Sequence, residues 1–339
     1  MTCCMYNYCT LFDSNYLDKG LVLYNSLEQI SDKFHLYIFA FDDKTVDILK
    51  DFRLKHATVI SLEEFETDEM LKVKKERSKA EYCWTCTPIT IEYVLKNFAV
   101  EMCTYIDSDM MFFSSAKPIF EQMAAEGSSV LVTPHRFPNT KKGRALEKRA
   151  GRYCVEFNTF KNDENGITPL MWWKERCLEW CFFERSGELL GDQKYLDGWT
   201  EKFPGVGVVK NWGAGLAPWN INQCRYISHK ATDVIFEHVE TKKEWKLIFY
   251  HYQAIKYLPY GLVNIGSMSK DKKLKNAIYD VYLKKIQEIR ELLNDNYGLE
   301  FKTNRVCSNN KVIAFVQKYI MPFKVNCFTD IKRARNIWG

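Results

Sequence analysis

From Cys4 to Leu62 the chain alternates between short β-prone apolar runs and amphipathic stretches, and this alternation restricts the fold more than any other feature. Cys4 to Leu11 reads as a strand, after which Phe12-Asp13-Ser14-Asn15 supplies turn and helix-capping side chains. Leu21, Tyr24, Leu27 and Ile30, with Leu23 beside them, keep the three-and-four spacing of one apolar helix face and predict a helix over Tyr16 to Ile30. Phe34 to Phe41 is a second strand closed by Asp42-Asp43, Lys44 to Lys55 a second helix, and Thr58 to Leu62 a third strand. Parallel strands need a long crossover between them, usually a helix. The pattern therefore predicts an α/β fold with a parallel, helix-covered sheet, whose ligands gather at the carboxyl ends of the strands.

The remaining pattern extends that sheet. A helix over Tyr82 to Asn97, a strand at Met102 to Ile106, a helix over Pro118 to Glu126 and a strand at Ser128 to Val132 follow in turn. Thr133 to Arg152, with two prolines, two glycines and several basic residues, predicts an active-site loop containing a short helix. The strand Tyr153 to Phe160 and the helix Ile167 to Phe183 resume the alternation, with Trp172, Trp173 and Trp180 as core. Gly191-Asp192-Gln193 opens a short helix ending near Trp199, and Val206 to Lys210 is a strand. Asn211 to Asn220 is too rich in Gly and Pro for regular structure, and Trp245 to Tyr250 is a strand leading into His251. Beyond Ser269 the chain reads as charged helix through Asn296, then as a mixed aromatic and basic segment from Val312 to Trp338.

Composition narrows the function. A chain of 339 residues that is 46% hydrophobic and 15% aromatic folds into one large or two smaller domains. Its net charge of +5 gives little support to nucleic-acid binding. The 12 cysteines are dispersed and many lie in apolar runs, so they read as reduced, buried thiols; Cys83-Trp84-Thr85-Cys86 has no matching second pair and reads as helix. No apolar run reaches the roughly 18 to 20 residues that span a bilayer, and the first residues lack a signal-peptide pattern, so a cytoplasmic location is expected.

Chemistry concentrates in Cys103 to Phe113, where Asp107 and Asp109 stand between two apolar runs. On an extended backbone residues two apart point the same way, so both acids would address one divalent cation while Ser108 faces elsewhere. Arg77 or Lys79, just before a helix on the sheet, would reach a diphosphate, and His251 at a strand end is a candidate metal ligand.

With Asp107-Ser108-Asp109 in this position, the chain resembles GT-A fold glycosyltransferases, in particular the family 8-like bacterial enzymes that build lipopolysaccharide or capsule sugars. The likeness runs from about Cys4 to Gly266, with residues 267–339 as a helical C-terminal extension. It implies a Rossmann-like, mostly parallel sheet with helices on both faces. It also implies that Thr10, Phe12 and Tyr16 meet the nucleotide base, that Asp42 meets base or ribose, and that Asp107, Ser108 and Asp109 form the DxD motif. Phe157-Asn158-Thr159 would face the transferred sugar, Asp192 and Gln193 would flank the reacting carbon, and His251 would complete the metal site. The family's His-x-x-Gly-x-Lys-Pro-Trp run is here His251-Tyr252-Gln253-Ala254-Ile255-Lys256-Tyr257, which lacks the Gly but keeps Lys256 for charge.

The resemblance implies transfer of a sugar from a nucleotide-diphosphate donor, preferably a UDP-sugar, to a glycan acceptor, with retention. Mn²⁺ is the expected cation because of the imidazole, with Mg²⁺ the alternative. Trp199, Trp212 and Trp219 are candidates either for an acceptor cleft or for core. Phe323 to Trp338, with Lys324, Lys332, Arg333 and Arg335, can lie on the inner face of an anionic membrane or form a solvated helix packed on the core. Two other readings compete: a sugar-1-phosphate nucleotidyltransferase, which would need a Gly-rich loop absent near Leu11, and a non-catalytic sugar-nucleotide-binding protein.

Overall fold

The computed structural model describes residues 5–30, 32–184, 186–187, 189–230, 233–258, 262–266, 271–302 and 331–333. Its opening is the predicted alternation: β1 (Tyr6–Phe12), α1 (Leu17–Glu28), β2 (Phe34–Ala40), α2 (Asp43–Phe52) and β3 (Ala57–Ser61). Two short helices, α3 (Leu62–Phe65) and α4 (Asp68–Lys74), lead to the long α5 (Lys79–Asn97). Ser78 fixes where α5 begins, because its hydroxyl accepts from the Glu81 N–H while the Glu81 carboxylate accepts from Ser78. Then come β4 (Met102–Ile106), β5 (Met110–Phe112), α6 (Lys117–Ala125), β6 (Val130–Pro134), α7 (Lys141–Ala150), β7 (Tyr153–Lys161), α8 (Glu164–Glu179), α9 (Trp199–Lys202) and β8 (Val206–Val208).

The central sheet has the order β3-β2-β1-β4-β7-β6-β8. Only β7 runs against its neighbours; the other pairings in the sheet are parallel. Strand alternation sorts its side chains onto two faces. Cys9 and Leu11 of β1 join Tyr37 and Phe39 of β2 under α5 and α8, while Tyr8 and Phe12 join Leu36 and Ile38 under α1, α2 and α6. Trp173 and Trp199, both fully buried, meet edge to face at 5.8 Å. Truncating either to Ala removes about 3–5 kcal/mol by leaving a cavity.

The second half adds strands that the periodicity did not predict. β9 (Cys224–Lys230), β10 (Asp233–His238) and β11 (Glu244–Lys246) make an antiparallel sheet, and β12 (Phe249–His251) pairs antiparallel with β5. The expected single strand Trp245 to Tyr250 is thus two strands. The chain changes partner at Leu247, whose N–H donates to the Val234 carbonyl, whereas the next N–H, of Ile248, donates to Gly213. β13 (Lys256–Leu258), β14 (Leu262–Asn264) and β15 (Ile331–Arg333) form a third small sheet.

The helical stretch beyond Ser269 is α10 (Lys272–Lys275), a π-helical turn (Asn276–Asp280) and α11 (Val281–Tyr297). α11 packs on α1 and contributes Leu293 to the α1-side core, and Arg290 Nε donates to buried Asp18 at 2.6 Å. Of the segment Phe323 to Trp338, only Ile331, Lys332 and Arg333 are described, and they are a strand, not a helix; Phe323, Lys324, Arg335 and Trp338 lie outside the described residues. Among the described residues no helix is long and apolar enough to cross a membrane.

Candidate active site

β4 stops at Ile106 and β5 starts at Met110, so Asp107-Ser108-Asp109 is the tight turn between two strands, not an extended strand. The expected two-residue alternation is therefore not what brings the acids together. Backbone anchors do so instead. The Asp107 N–H donates to the Glu156 carbonyl at 3.1 Å, and the Tyr105 hydroxyl donates to Asp107 Oδ1 at 3.1 Å. β12 lies along β5 with His251 opposite Met110, and the Tyr252 N–H donates to the Asp109 carbonyl at 2.9 Å. Ser108, expected to face elsewhere, lines the same cleft as the acids.

His251 Nε2 lies 3.1 Å from Asp109 Oδ1 and 3.6 Å from Asp107 Oδ2. Its Nδ1 lies 2.6 Å from Glu156 Oε2. The ring also meets Trp219 edge-on at 5.5 Å, and Trp219 is itself held by its Nε1 donating to the His135 carbonyl at 2.8 Å. Lys19 Nζ stands 4.0 Å from Asp109 Oδ2 and 3.6 Å from the centre of the Tyr16 ring.

These charges split the two acids. Burial, with the charges of Asp109 and Glu156 adding to it, lifts Asp107 to about 6. Burial also pushes Asp109 upward, but the His251 charge, the hydrogen bond from His251 and the charge of Lys19 outweigh it and hold Asp109 at about 2. Burial disfavours the His251 imidazolium, yet Asp109 and the neighbouring hydrogen bonds keep its pKa well above the usual histidine value. This concentration of negative charge suits a cation. Asp107, Asp109 and His251 offer donor atoms that all lie within 4.8 Å of one another. Two carboxylates with one imidazole match the preferences of Mn²⁺ or Mg²⁺, so the residues fit the expected metal.

The acids open onto a cleft of about 600 Å³, a size common among ligand sites. Phe12 and Tyr16 at the end of β1, Lys79 at the start of α5, and Asp192 and Gln193 line this cleft. Lys79 pairs with Asp13, whose carboxylate also accepts from the Asn15 N–H at 3.0 Å. Gln193 Nε2 donates to the Ala150 carbonyl at 2.8 Å. Asp192 is 6% exposed, and burial, with the charge of Asp107 adding to it, raises its carboxyl to about 7.

The other candidates lie off this wall. Thr10 is fully buried in β1. Asp42 caps α2, accepting from the Thr45 N–H at 2.9 Å and from the Ser14 hydroxyl at 2.7 Å, and these bonds overcome burial and lower its pKa. Arg77 donates to Thr85 Oγ1 and, at 2.7 Å, to the Leu178 carbonyl, with Phe182 under its guanidinium. Lys256 is exposed on β13. Asn158 Oδ1 accepts from the Thr133 N–H at 3.1 Å inside the sheet. Trp199 is core, and Trp212 stacks under half-buried Arg136.

Sequence reasoning missed three wall residues and the histidine's partner. Trp84 and Phe183, stacked at 6.0 Å, line the cleft, as does Arg149 of α7, which has no ion-pair partner among the described residues. Glu156 precedes Phe157-Asn158 in β7, and an acid inside so apolar a strand was the available signal. The missing Gly also has a structural counterpart. Ala254, at that place in the run, takes the left-handed φ of 67° that glycine adopts without steric cost.

No protein-family model matches the chain. It is 33% identical over 268 residues to the uncharacterized protein YfnF of Bacillus subtilis (strain 168), covering 78% of this chain and 84% of that protein. To the uncharacterized protein YfnD of the same strain it is 31% identical over 252 residues, covering 74% and 78%. Among solved structures, the galactosyltransferase LgtC with donor and acceptor sugar analogues aligns at a TM-score of 0.47 with 12% identity, covering 83% of this chain and 95% of that one. Mouse xyloside xylosyltransferase 1 aligns at 0.46 with 10% identity, covering 74% and 98%. The bifunctional glycosyltransferase WbbM aligns at 0.47 with 11% identity, covering 85% and 51%.

Proposed function

We propose that this chain, which belongs to the family of the Bacillus subtilis proteins YfnF and YfnD, is a cation-dependent glycosyltransferase that moves a sugar from a nucleotide-diphosphate donor to a glycan acceptor. The observation that carries the reading is the convergence of Asp107, Asp109 and His251 at the mouth of a cleft that also holds Asp192, Lys79 and Arg149. In a sugar nucleotide the diphosphate gains charge as the glycosidic bond breaks, so a transferase has to gather positive charge there and place a carboxyl near the sugar carbon.

Asp109 and His251 would hold the cation, with Asp107 sharing it or meeting the ribose. Mn²⁺ is the first choice and Mg²⁺ the second. When bound, it supplies electrostatic stabilisation of the departing diphosphate. Lys79 and Arg149, which line the same cleft, would add positive charge. Phe12 and Tyr16 offer a face to the base, which we assign to uridine. Asp192, with a carboxyl near 7, keeps a proton in part of the population at neutral pH and can orient the sugar hydroxyls, with Gln193 beside it. The reaction is assigned as retaining. Inversion would instead make Asp192 the base, a role for which a pKa near the working pH is well matched.

A lipopolysaccharide or capsule precursor is the proposed acceptor, and a lipid-linked one would bring the enzyme to the inner face of the cytoplasmic membrane. The deciding experiment follows nucleotide release from a panel of UDP- and GDP-sugars with Mn²⁺, comparing the native chain with Asp109→Ala. Slow release of one nucleotide diphosphate, abolished in the variant, supports the reading. Release unchanged by the substitution removes the metal role, and neither release nor binding of any donor leaves a non-catalytic protein.

A further inference from the structure

The metal reading leaves Glu156 without a part, although it is the most enclosed acid at the site. Its side chain is 0% exposed and sits on the central antiparallel strand β7. One carboxylate oxygen, Oε2, meets His251 Nδ1 at 2.6 Å, and the other, Oε1, has no hydrogen-bond partner. A carboxylate so enclosed is costly to bury unless its charge is used. No lysine or arginine forms an ion pair with it among the described residues. Half-buried Arg136, whose guanidinium feels the Glu156 charge, gives its donors to three backbone carbonyls, those of Ala214, Val209 and Asn211.

We propose that Glu156 is a positioning residue for the cation: it accepts a hydrogen bond from Nδ1–H of His251 and thereby leaves the Nε2 lone pair turned toward Asp107 and Asp109. An imidazole with one ring proton can carry it on either nitrogen, and only the tautomer protonated on Nδ1 can ligate through Nε2. The 2.6 Å contact selects that tautomer and increases the basicity of the ligating nitrogen. The perpendicular contact with Trp219 and the His251 N–H donating to the Leu216 carbonyl at 3.0 Å fix the ring's plane and its backbone. Of the groups beside the ring, the Cys154 thiol and the Glu156 carboxylate, the carboxylate is the stronger acceptor and meets Nδ1 directly. The loop carrying Leu216 is in turn tied down by Arg136, which sits with a left-handed φ of 49° beneath it. The inference rests on the cation-dependent reading but concerns a residue that touches neither donor nor cation.

The test uses the full chain without donor. Mn²⁺ affinity is titrated by electron paramagnetic resonance of the free ion, and the His251 tautomer is read from ¹⁵N chemical shifts of metal-free, histidine-labelled protein at a pH high enough that the ring carries a single proton. Glu156→Gln keeps the shape and weakens the acceptor; Glu156→Asp keeps the charge but withdraws it by one methylene. We expect a tenfold to hundredfold loss of Mn²⁺ affinity in Glu156→Gln, a smaller loss in Glu156→Asp, and appearance of the Nε2-protonated tautomer in Glu156→Gln. Near-native thermal melting separates this from misfolding, and if Glu156→Gln fails to fold, Glu156→Asp carries the same two readouts. Native affinity and native tautomer in both variants would overturn the proposal while leaving the cation site intact. Absence of Mn²⁺ binding in the unmodified chain would overturn it together with the functional reading.

Discussion

Replacing Asp192 by Asn should make the protein more stable above neutral pH. Asp192 is buried at 6% exposure with no ion-pair partner among the described residues, and its carboxyl is held at about 7 where an ordinary one sits at 3.8. Between roughly pH 4 and 7 the unfolded chain has released this proton while the folded chain retains it, so stability falls as pH rises, and above about 7 the loss is complete. At about 1.4 kcal/mol per tenfold, the full penalty is about 4 kcal/mol. Asn imitates the protonated acid and never incurs it. Unfolding 339 residues carries an entropy of about 0.7 kcal/mol per kelvin, so the penalty corresponds to about 6 °C in Tm. Thermal melting of the native chain and of Asp192→Asn from pH 4 to pH 8 should give matching values at the acid end and a variant higher by about that amount at pH 8. A variant equally or more destabilised at pH 8 than at pH 4 would refute the argument, since it would mean that the ionised carboxylate is the form the fold accommodates.

Three further outcomes follow from local geometry. Ala254→Gly should stabilise by up to about 1 kcal/mol, because relief of the left-handed strain at φ 67° outweighs glycine's extra freedom when unfolded; a lower denaturation midpoint would contradict this. Asp42→Ala should cost about 1 kcal/mol through the lost cap of α2, and UDP affinity measured by calorimetry should stay native; a large loss of affinity would restore Asp42 to the nucleotide site. Arg136→Met should cost about 3 kcal/mol or more, because three backbone carbonyls lose their donors, and it should weaken Mn²⁺ binding by loosening the loop behind His251; a denaturation midpoint within error of native would contradict it.

The sheet was legible because its strands are separated by helices with clean apolar faces, as in β1, α1 and β2. The β9–β10–β11 sheet was not, although Val234, Phe236 and His238 alternate inward, because charged residues and short connections mask a period of two. Asp107, Asp109 and His251 could be grouped from the sequence through family resemblance. The reason they meet could not be read there, since it lies in a turn and in the pairing of β5 with β12. Glu156 was missed for a different cause: an acid in an apolar strand is a visible signal, but it becomes meaningful only when its partner, 95 residues on, is known. Arg77 was misleading in the opposite way, because a cation next to a helix start has backbone and hydroxyl acceptors available as well as phosphate.

The three-residue ladder between β5 and β12 sets an order of events during synthesis. All seven strands of the central sheet have left the ribosome once Val208 has emerged, so a nascent chain can collapse into most of its final shape with the two acids already in their turn. Such an intermediate has no imidazole at the site, since Phe249, Tyr250 and His251 arrive later and dock across a separation of about 140 residues. Closing so distant a contact is slow compared with forming the local elements that precede it. On the cation-dependent reading, capture of the ion would therefore be a late step, and a fragment ending before Phe249 would hold the acids without the histidine.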